Sequence, residues 1–378
     1  MKQVRKSIPK PVVLFAAAAI LIAAAPASTV QAKEWQAIVG AESPDRGRQA
    51  LAFLPNELWI YTGDSIRWTF PTHERHSVTF LSPGQLRPPI YSPAAWGVEV
   101  GCPGVTPDGS SFDGSACVHS GILLLDPNTE STANAPTYSV QFPAAGNFKL
   151  ACLAHVDMIG VVHVLNPSET LSHDQNFYDH QAQREGTLLV ADASRLGSRV
   201  THDDEDRAES GPASFRMNDS RLQDEGSFSD KDRTQSMDIA AGIGEVVTIT
   251  GAGSQSASLM RFLRHTIVVR VGDTVEWTSL EPSINHTVTF GMEPADPRPP
   301  SANVTVTTDR ARQAVIGSPL DTVNSGFLSP SPQDRTGLGE APPGITRFRV
   351  TFTSPGTFNY ICAIHDELGM KGAVIVHR

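Results

Sequence analysis

A short segment carrying one cysteine, one histidine and one methionine occurs twice in this chain, as Cys152, His155 and Met158 and again as Cys362, His365 and Met370. Each copy has an upstream histidine at the same distance. His76, in RHSVTF, precedes Cys152 by 76 residues, and His286, in NHTVTF, precedes Cys362 by 76. Two halves that keep one His-to-Cys separation are most simply two copies of one unit. Each must fold so that an early histidine meets a late loop.

The rest of the chain supports the duplication. YTGDSIRWTF (61–70) matches RVGDTVEWTS (270–279), with Trp68 over Trp277; FPAAGNFKLACLAH matches FTSPGTFNYICAIH, and MIGVVHV matches MKGAVIV. Arg87-Pro88-Pro89 matches Arg298-Pro299-Pro300. The period of roughly 210 residues is too long for a solenoid and signals domain duplication.

Within each half, short apolar-alternating runs are punctuated by Gly and Pro, which predicts an all-β chain of two β-sandwich domains. Ile66, Trp68 and Phe70 share one strand face, as do Phe148, Leu150 and Cys152, and Phe358, Tyr360 and Cys362. His76 shares a face with Val78 and Phe80, and His286 with Val288 and Phe290. Each sulfur and each upstream imidazole therefore points with its aromatic neighbours toward the core. Between the histidine and the cysteine each half carries a long Pro/Gly/Ser-rich insert, about 81–136 and 291–345, containing Ser120-Gly121-Ile122-Leu123 and Ser325-Gly326-Phe327-Leu328. Loops of that length are usually functional, and these are expected near the pole where the sulfur and imidazoles meet.

The predicted organisation is a leader over 1–32, a first domain over 33–166, a linker over 167–237 and a second domain over 238–378. Lys2, Arg5, Lys6 and Lys10 precede an apolar stretch from Val12 to Ala25, and Val30-Gln31-Ala32 suits signal cleavage. An exported, periplasmic or extracellular protein is expected, with no stable membrane span after cleavage. Taking those four cations from 30 Lys+Arg against 40 Asp+Glu leaves 26 basic and 40 acidic residues. That balance disfavours nucleic acid and favours a partner with a basic docking surface. In the linker, Phe177, Tyr178 and Ala182 are spaced for a short helix, and Asp203 to Asp232, with ten acidic and four basic residues, reads as flexible. Cys102 and Cys117 sit together in the first insert without repeat equivalents, and an oxidising compartment predicts that they form a disulfide.

Two imidazoles and a thiolate with a more distant thioether suit a copper ion that cycles between Cu(I) and Cu(II), because neither state is favoured outright. Zinc is the alternative in a Cys/His site, and the methionine argues against it. The Cys-x2-His-x4-Met of the second half, followed by Lys371-Gly372 and a last strand, resembles plastocyanin. The shorter Cys-x2-His-x2-Met of the first resembles amicyanin. Both halves are thus similar to cupredoxins, the blue copper proteins, although their inserts are longer and no Pro precedes the loop histidine. The resemblance implies Greek-key sandwiches and one type 1 copper per half, two per chain. It implies as ligands His76, Cys152, His155 and Met158 in the first half, and His286, Cys362, His365 and Met370 in the second. No catalytic residue is assigned. The expected activity is electron transfer to a redox protein through the exposed edge of His155 or His365. The alternatives are a periplasmic copper-handling protein and a two-domain copper oxidase or nitrite reductase. Those enzymes wire a second centre through histidines beside the cysteine; here Ala151 and Leu153 flank Cys152, Ile361 and Ala363 flank Cys362, and no His-x-His occurs. The remaining histidines are read more plainly: His73 as a loop residue, His119 as a surface residue without a counterpart, and His163, His265 and His377 as ordinary strand residues.

Overall fold

Alternation of apolar and polar residues becomes strand in both halves. The computed structural model describes residues 31–87, 102, 104–210, 236–247, 253–329 and 344–378. The expected leader, the Pro88-Pro89 pair and the linker from 211 to 235 lie outside the described residues. The first half forms β1 (Glu34–Glu42), β2 (Arg48–Leu54), β3 (Glu57–Tyr61), β4 (Ser65–Thr69), β5 (Thr79–Phe80), β6 (Ser110–Ser111), β7 (Val118–His119), β8 (Thr137–Gln141), β9 (Gly146–Ala151) and β10 (Ile159–Leu165). Helix α1 (Gln175–Ser210) follows. The second half forms β11 (Ser236–Val247), β12 (Gln255–Leu263), β13 (Thr266–Arg270), β14 (Thr274–Leu280), β15 (Thr289–Phe290), β16 (Thr305–Val306), β17 (Arg312–Ile316), β18 (Val323–Asn324), β19 (Arg347–Phe352), β20 (Gly356–Ile361) and β21 (Lys371–His377).

Each half contributes one private sheet of five strands, ordered β3-β10-β9-β5-β7 and β13-β21-β20-β15-β18. Strand by strand these are the same sheet. The facing sheets are joined into a single sheet of 11 strands, ordered β16-β17-β19-β14-β11-β12-β2-β1-β4-β8-β6. From its middle outward the order repeats, with β16 as the one addition. The join is the antiparallel pairing of β12 with β2, where Ser256 faces Leu51, Ala257 faces Ala50, Ser258 faces Gln49 and Leu259 faces Arg48. Each half thereby covers the exposed edge of the other, which would otherwise be free to pair with another chain. The halves are not independent beads on a linker.

The sandwich interiors hold the residues that strand alternation assigned to them. Trp68 packs on Phe80 and Trp277 on Phe290 and Tyr360. Ile66, Phe70, Leu150, Phe358 and both ligand-loop cysteines are buried. Phe148 is only partly buried, and it lies edge-on to Phe112 of the insert.

The segment after β10 departs from expectation. A short helix followed by a flexible acidic linker was expected, yet α1 runs for 36 residues and includes the positions from Asp203 to Ser210. Asp174 starts it as an N-cap, its side chain accepting from the Phe177 amide at 2.9 Å. Ala182, Leu189 and Ala193 pack on Ala50, Ala52 and Leu54 of β2 and on Ala257 of β12. Alanines on both surfaces let the helix lie close over the join. Glu185 adds polar ties to both strands' neighbourhoods, accepting from the Asn56 amide at 3.0 Å and from Gln255 at 3.3 Å. Sequence spacing showed the apolar stripe but not the surface that would order it, because that surface is made by both halves together.

Candidate metal centres

The upstream histidine of each half is held by a kink in the strand beneath it. The pairing of β1 with β2 slips between Val39 and Ala41, and that of β11 with β12 slips between Ala241 and Ile243. The extra residues are Gly40 and Gly242, with φ of 78° and 81°, the left-handed region that glycine enters without steric cost. A Cβ on Gly40 would stand 2.7 Å from His76 Nε2, and one on Gly242 would stand 2.2 Å from His286 Nε2. Each bulge makes the room in which an imidazole lies. Neither glycine was singled out from sequence, although GA and GI stand at matching places in the two halves.

The inserts brace the same histidines from the other side. His76 forms an isolated antiparallel bridge with Leu123, and His286 with Leu328. Ser120 Oγ accepts from the Val78 amide and Ser325 Oγ from the Val288 amide, both at 2.9 Å. The matched Ser-Gly-apolar-Leu runs are therefore the returning limbs of the inserts, at the pole where the loops gather.

At that pole His76, Cys152 and His155 converge in the first half and His286, Cys362 and His365 in the second, all fully or nearly fully buried. Cys152 Sγ lies 3.9 Å from His76 Nδ1 and 3.5 Å from His155 Nδ1. Cys362 Sγ lies 3.9 Å from His286 Nδ1 and 3.3 Å from His365 Nδ1, and the two nitrogens are 3.2 Å apart. Bonds of about 2.0–2.3 Å to nitrogen and sulfur, radiating trigonally, would separate the ligand atoms by about 3.5–4 Å. The convergent donors fit one ion per group. Backbone amides support each sulfur: Ser77 N and Thr287 N donate to Cys152 and Cys362 at 3.3 Å. The Cys152 amide donates to the Met158 carbonyl and the Cys362 amide to the Met370 carbonyl, each at 3.0 Å, which closes the loop on itself. Both methionines are completely buried. Cys102 and Cys117 form a disulfide away from these groups.

The loop histidines depart from expectation. Rather than presenting an exposed edge, His155 is 1% and His365 2% exposed, because the two poles face each other across the join. Between them lies Glu74. Its Oε1 is 3.3 Å from His155 Nε2 and its Oε2 is 3.5 Å from His365 Nε2. Around it, each ligand loop touches the other half: Arg75 donates to the Ile364 carbonyl at 2.9 Å, and Ser283 donates to Asp157 at 3.2 Å. Glu74 was visible in His73-Glu74-Arg75-His76 but has no counterpart in the second half, and matching the repeats passed over it.

Electrostatics separate the two groups. Burial opposes ionisation of Glu74, and the attraction of His365 and His155 outweighs it, holding the carboxyl well below the usual range. Burial likewise opposes ionisation of Cys152, but His155 and His76 prevail and the thiol titrates well below its ordinary value. His155 is pushed up to about 9, burial being outweighed by Cys152 and Glu74. In the second group burial dominates, pushing Cys362 up to about 11 and His365 down to about 4. Cys152 leads the groups that raise His155, with Glu74 after it.

The remaining histidines are partly as expected. His73 is a loop residue, but buried, with Nδ1 2.6 Å from Glu42 and Nε2 2.9 Å from the Thr129 carbonyl. His119 is a correction. It is buried on β7, with Nδ1 2.8 Å from Thr79 Oγ1, and Asn324 on β18 plays its part for Thr289 at 2.9 Å. An insert that returns into the sheet has an interior face, which its composition concealed. His163, on β10, bonds Glu57 and Asn147.

The family of copper binding proteins of the plastocyanin/azurin type matches residues 247–377. A search of curated proteins finds no significant match. Among solved structures, the oxidised plastocyanin of Dryopteris crassirhizoma is 18% identical, covering 37% of this chain and 99% of its own, with a TM-score of 0.20. A reduced mutant of amicyanin is 18% identical over 39% of this chain and 87% of its own, with a TM-score of 0.18. A copper-containing nitrite reductase from Thermus scotoductus is 14% identical over 91% of this chain and 68% of its own, with a TM-score of 0.21. By the family match, residues 247–377 are a cupredoxin domain of the plastocyanin/azurin family, and the first half repeats its strand order and its buried His-Cys-His group.

Proposed function

We propose that the chain is an electron-transfer protein with one type 1 copper in each half. His76, Cys152, His155 and Met158 would hold the first ion and His286, Cys362, His365 and Met370 the second. The observation that carries this reading is the pair of buried groups in which two imidazole nitrogens converge on one sulfur. Copper bound there supplies a one-electron couple whose two states tolerate a common geometry.

The residues of the chain do the rest. The glycine bulges and insert limbs fix the upstream histidines, so the donors need not rearrange as charge changes. The Ser77 and Thr287 amides partly neutralise sulfur charge, and their hydroxyls bind the next residue, with Leu153 N to Ser77 Oγ and Ala363 N to Thr287 Oγ1 both at 2.8 Å. Burial excludes water and open coordination, which favours a carrier over a copper-handling surface. Apolar residues beside each cysteine offer no imidazole toward a further centre, which favours a carrier over an oxidase or nitrite reductase. The apolar leader and the disulfide support placement outside the cytoplasm. With both loop histidines buried, a redox partner would dock elsewhere on the surface, and the acidic balance favours a basic one.

Copper-loaded full-length protein is expected to bind two coppers per chain with an intense blue thiolate-to-copper absorption. Cys152→Ser and Cys362→Ser should each remove one copper and that site's band. A colourless chain that takes up only zinc overturns the reading, and turnover of nitrite or oxygen by the loaded protein converts it to an enzyme.

A further inference from the structure

We propose that Glu74 is a positioning residue shared by both metal groups, so that one carboxylate sets the ring orientation and the redox potential of the two centres together. The inference rests on the type 1 copper reading above.

The geometry supplies the reasons. In each group the loop histidine turns Nδ1 toward the sulfur, at 3.5 Å in the first and 3.3 Å in the second, which leaves Nε2–H as the only polar group at its far edge. Both far edges point at the same side chain, one at each oxygen of Glu74, at 3.3 and 3.5 Å. A carboxylate bonded to the distal nitrogen of a metal-bound histidine fixes the ring and raises its basicity as a ligand, and losing it typically costs about 10–100-fold in metal affinity. Here a single carboxylate faces two such rings, hydrogen-bonded to that of His155 and at ion-pair distance from that of His365. The side chain of Glu74 is 4% exposed, so its charge is not screened by water and acts on both centres.

The duplication explains why there is only one. Two residues before His76 stands Glu74, and two residues before His286 stands Ile284, also buried. Where the two poles meet, equivalent segments approach each other, and two carboxylates there would repel in a dry interface. One anion opposite one aliphatic side chain faces both imidazoles without that repulsion. Glu74 thus bridges the two groups, hydrogen-bonded to His155 and at ion-pair distance from His365.

The test uses full-length copper-loaded protein in two backgrounds, Cys152→Ser and Cys362→Ser, each reporting one centre by redox titration and paramagnetic resonance. A buried anion favours the oxidised, more positive state, so Glu74→Gln is expected to raise the potential in both backgrounds. The amide keeps only one acceptor oxygen, so in one background the resonance should also show a displaced imidazole. An unchanged potential in either background overturns the proposal, because Glu74 then serves one centre alone. If Glu74→Gln does not fold, Glu74→Asp, which keeps the charge but withdraws it by one methylene, should alter the resonance of both centres, and a change at one alone overturns the proposal equally. Failure of the copper reading is separate: the parent chain would then show no blue band.

Discussion

The two metal groups share their donors and differ in what holds the donors in place. In the first half the loop from Cys152 to Met158 is clamped from beneath by Arg87, a buried guanidinium that donates to the carbonyls of Cys152, His155 and Val156. Its repeat equivalent, Arg298, turns outward to Asp296 at 2.8 Å. The second loop is longer by two residues and contains a short 3-10 turn, Asp366–Leu368, ended by Gly369 at φ 87°. Its carbonyls are held by arginines from outside the loop: Arg261 of β12 on Leu368 at 2.7 Å, and Arg75 of the first half on Ile364. Duplication preserved the convergent His-Cys-His donors and let the supports diverge. The arginine that braces the first loop comes from its own half, whereas the second loop draws one from each half.

Five substitutions sharpen or break this contrast. The largest effect is expected at the bulge glycines. Gly242→Ala places a methyl group against His286, at the shorter of the two approaches, and forces a non-glycine residue into a left-handed backbone costing about 1–2 kcal/mol. Loss of the second centre's blue band is expected. Gly40→Ala, with more room, should weaken the first centre without abolishing it, and equal effects would contradict the role given to the bulges. Next, Arg87→Met should lower copper affinity at the first centre by about 10–100-fold, read by competitive chelator titration, because it frees the loop that presents Cys152 and His155. Arg298→Met should leave the second centre unchanged, and a parallel loss there would mean that the supports are equivalent after all.

The smallest effect concerns stability. Glu281, buried before His286 and bonded to Ser258 at 2.6 Å, has its carboxyl raised to about 7, chiefly by burial, with Asp157 also nearby. A raised folded value favours the protonated form. Its stabilisation is fully present below about pH 4.5 and lost as pH rises through about 7, a change on the order of 3 kcal/mol. Glu281→Gln should therefore flatten the dependence of chemical unfolding on pH across that window. An unaltered slope would show that Glu281 is charged in the fold.

Sequence reading reached what repeats and what alternates. Matching separations brought His76 to Cys152 and His286 to Cys362, and period-two patterns put Trp68, Trp277 and both cysteines inside. It missed what exists in one copy or arises only when the halves meet. Glu74 has Ile284 opposite it, so comparison of the halves treated it as background. The burial of His155 and His365 follows from the pairing of β2 with β12, and edge pairing leaves no mark in the alternation of either strand. For α1 the apolar stripe was legible through Tyr178 and Ala182, whereas its length depended on the alanine surface of the shared sheet. His119 sat in an insert whose polar composition suggested solvent, and only the returning strand β7 turns it inward.

Diffraction from a crystal of the copper-loaded chain at the copper absorption edge tests the central claim most directly. Two anomalous peaks per chain are expected, one bonded by His76, Cys152 and His155 and the other by His286, Cys362 and His365, with Glu74 between them and bound to neither. A single peak, or a peak seated on Glu74 between the two loop histidines, would contradict the account.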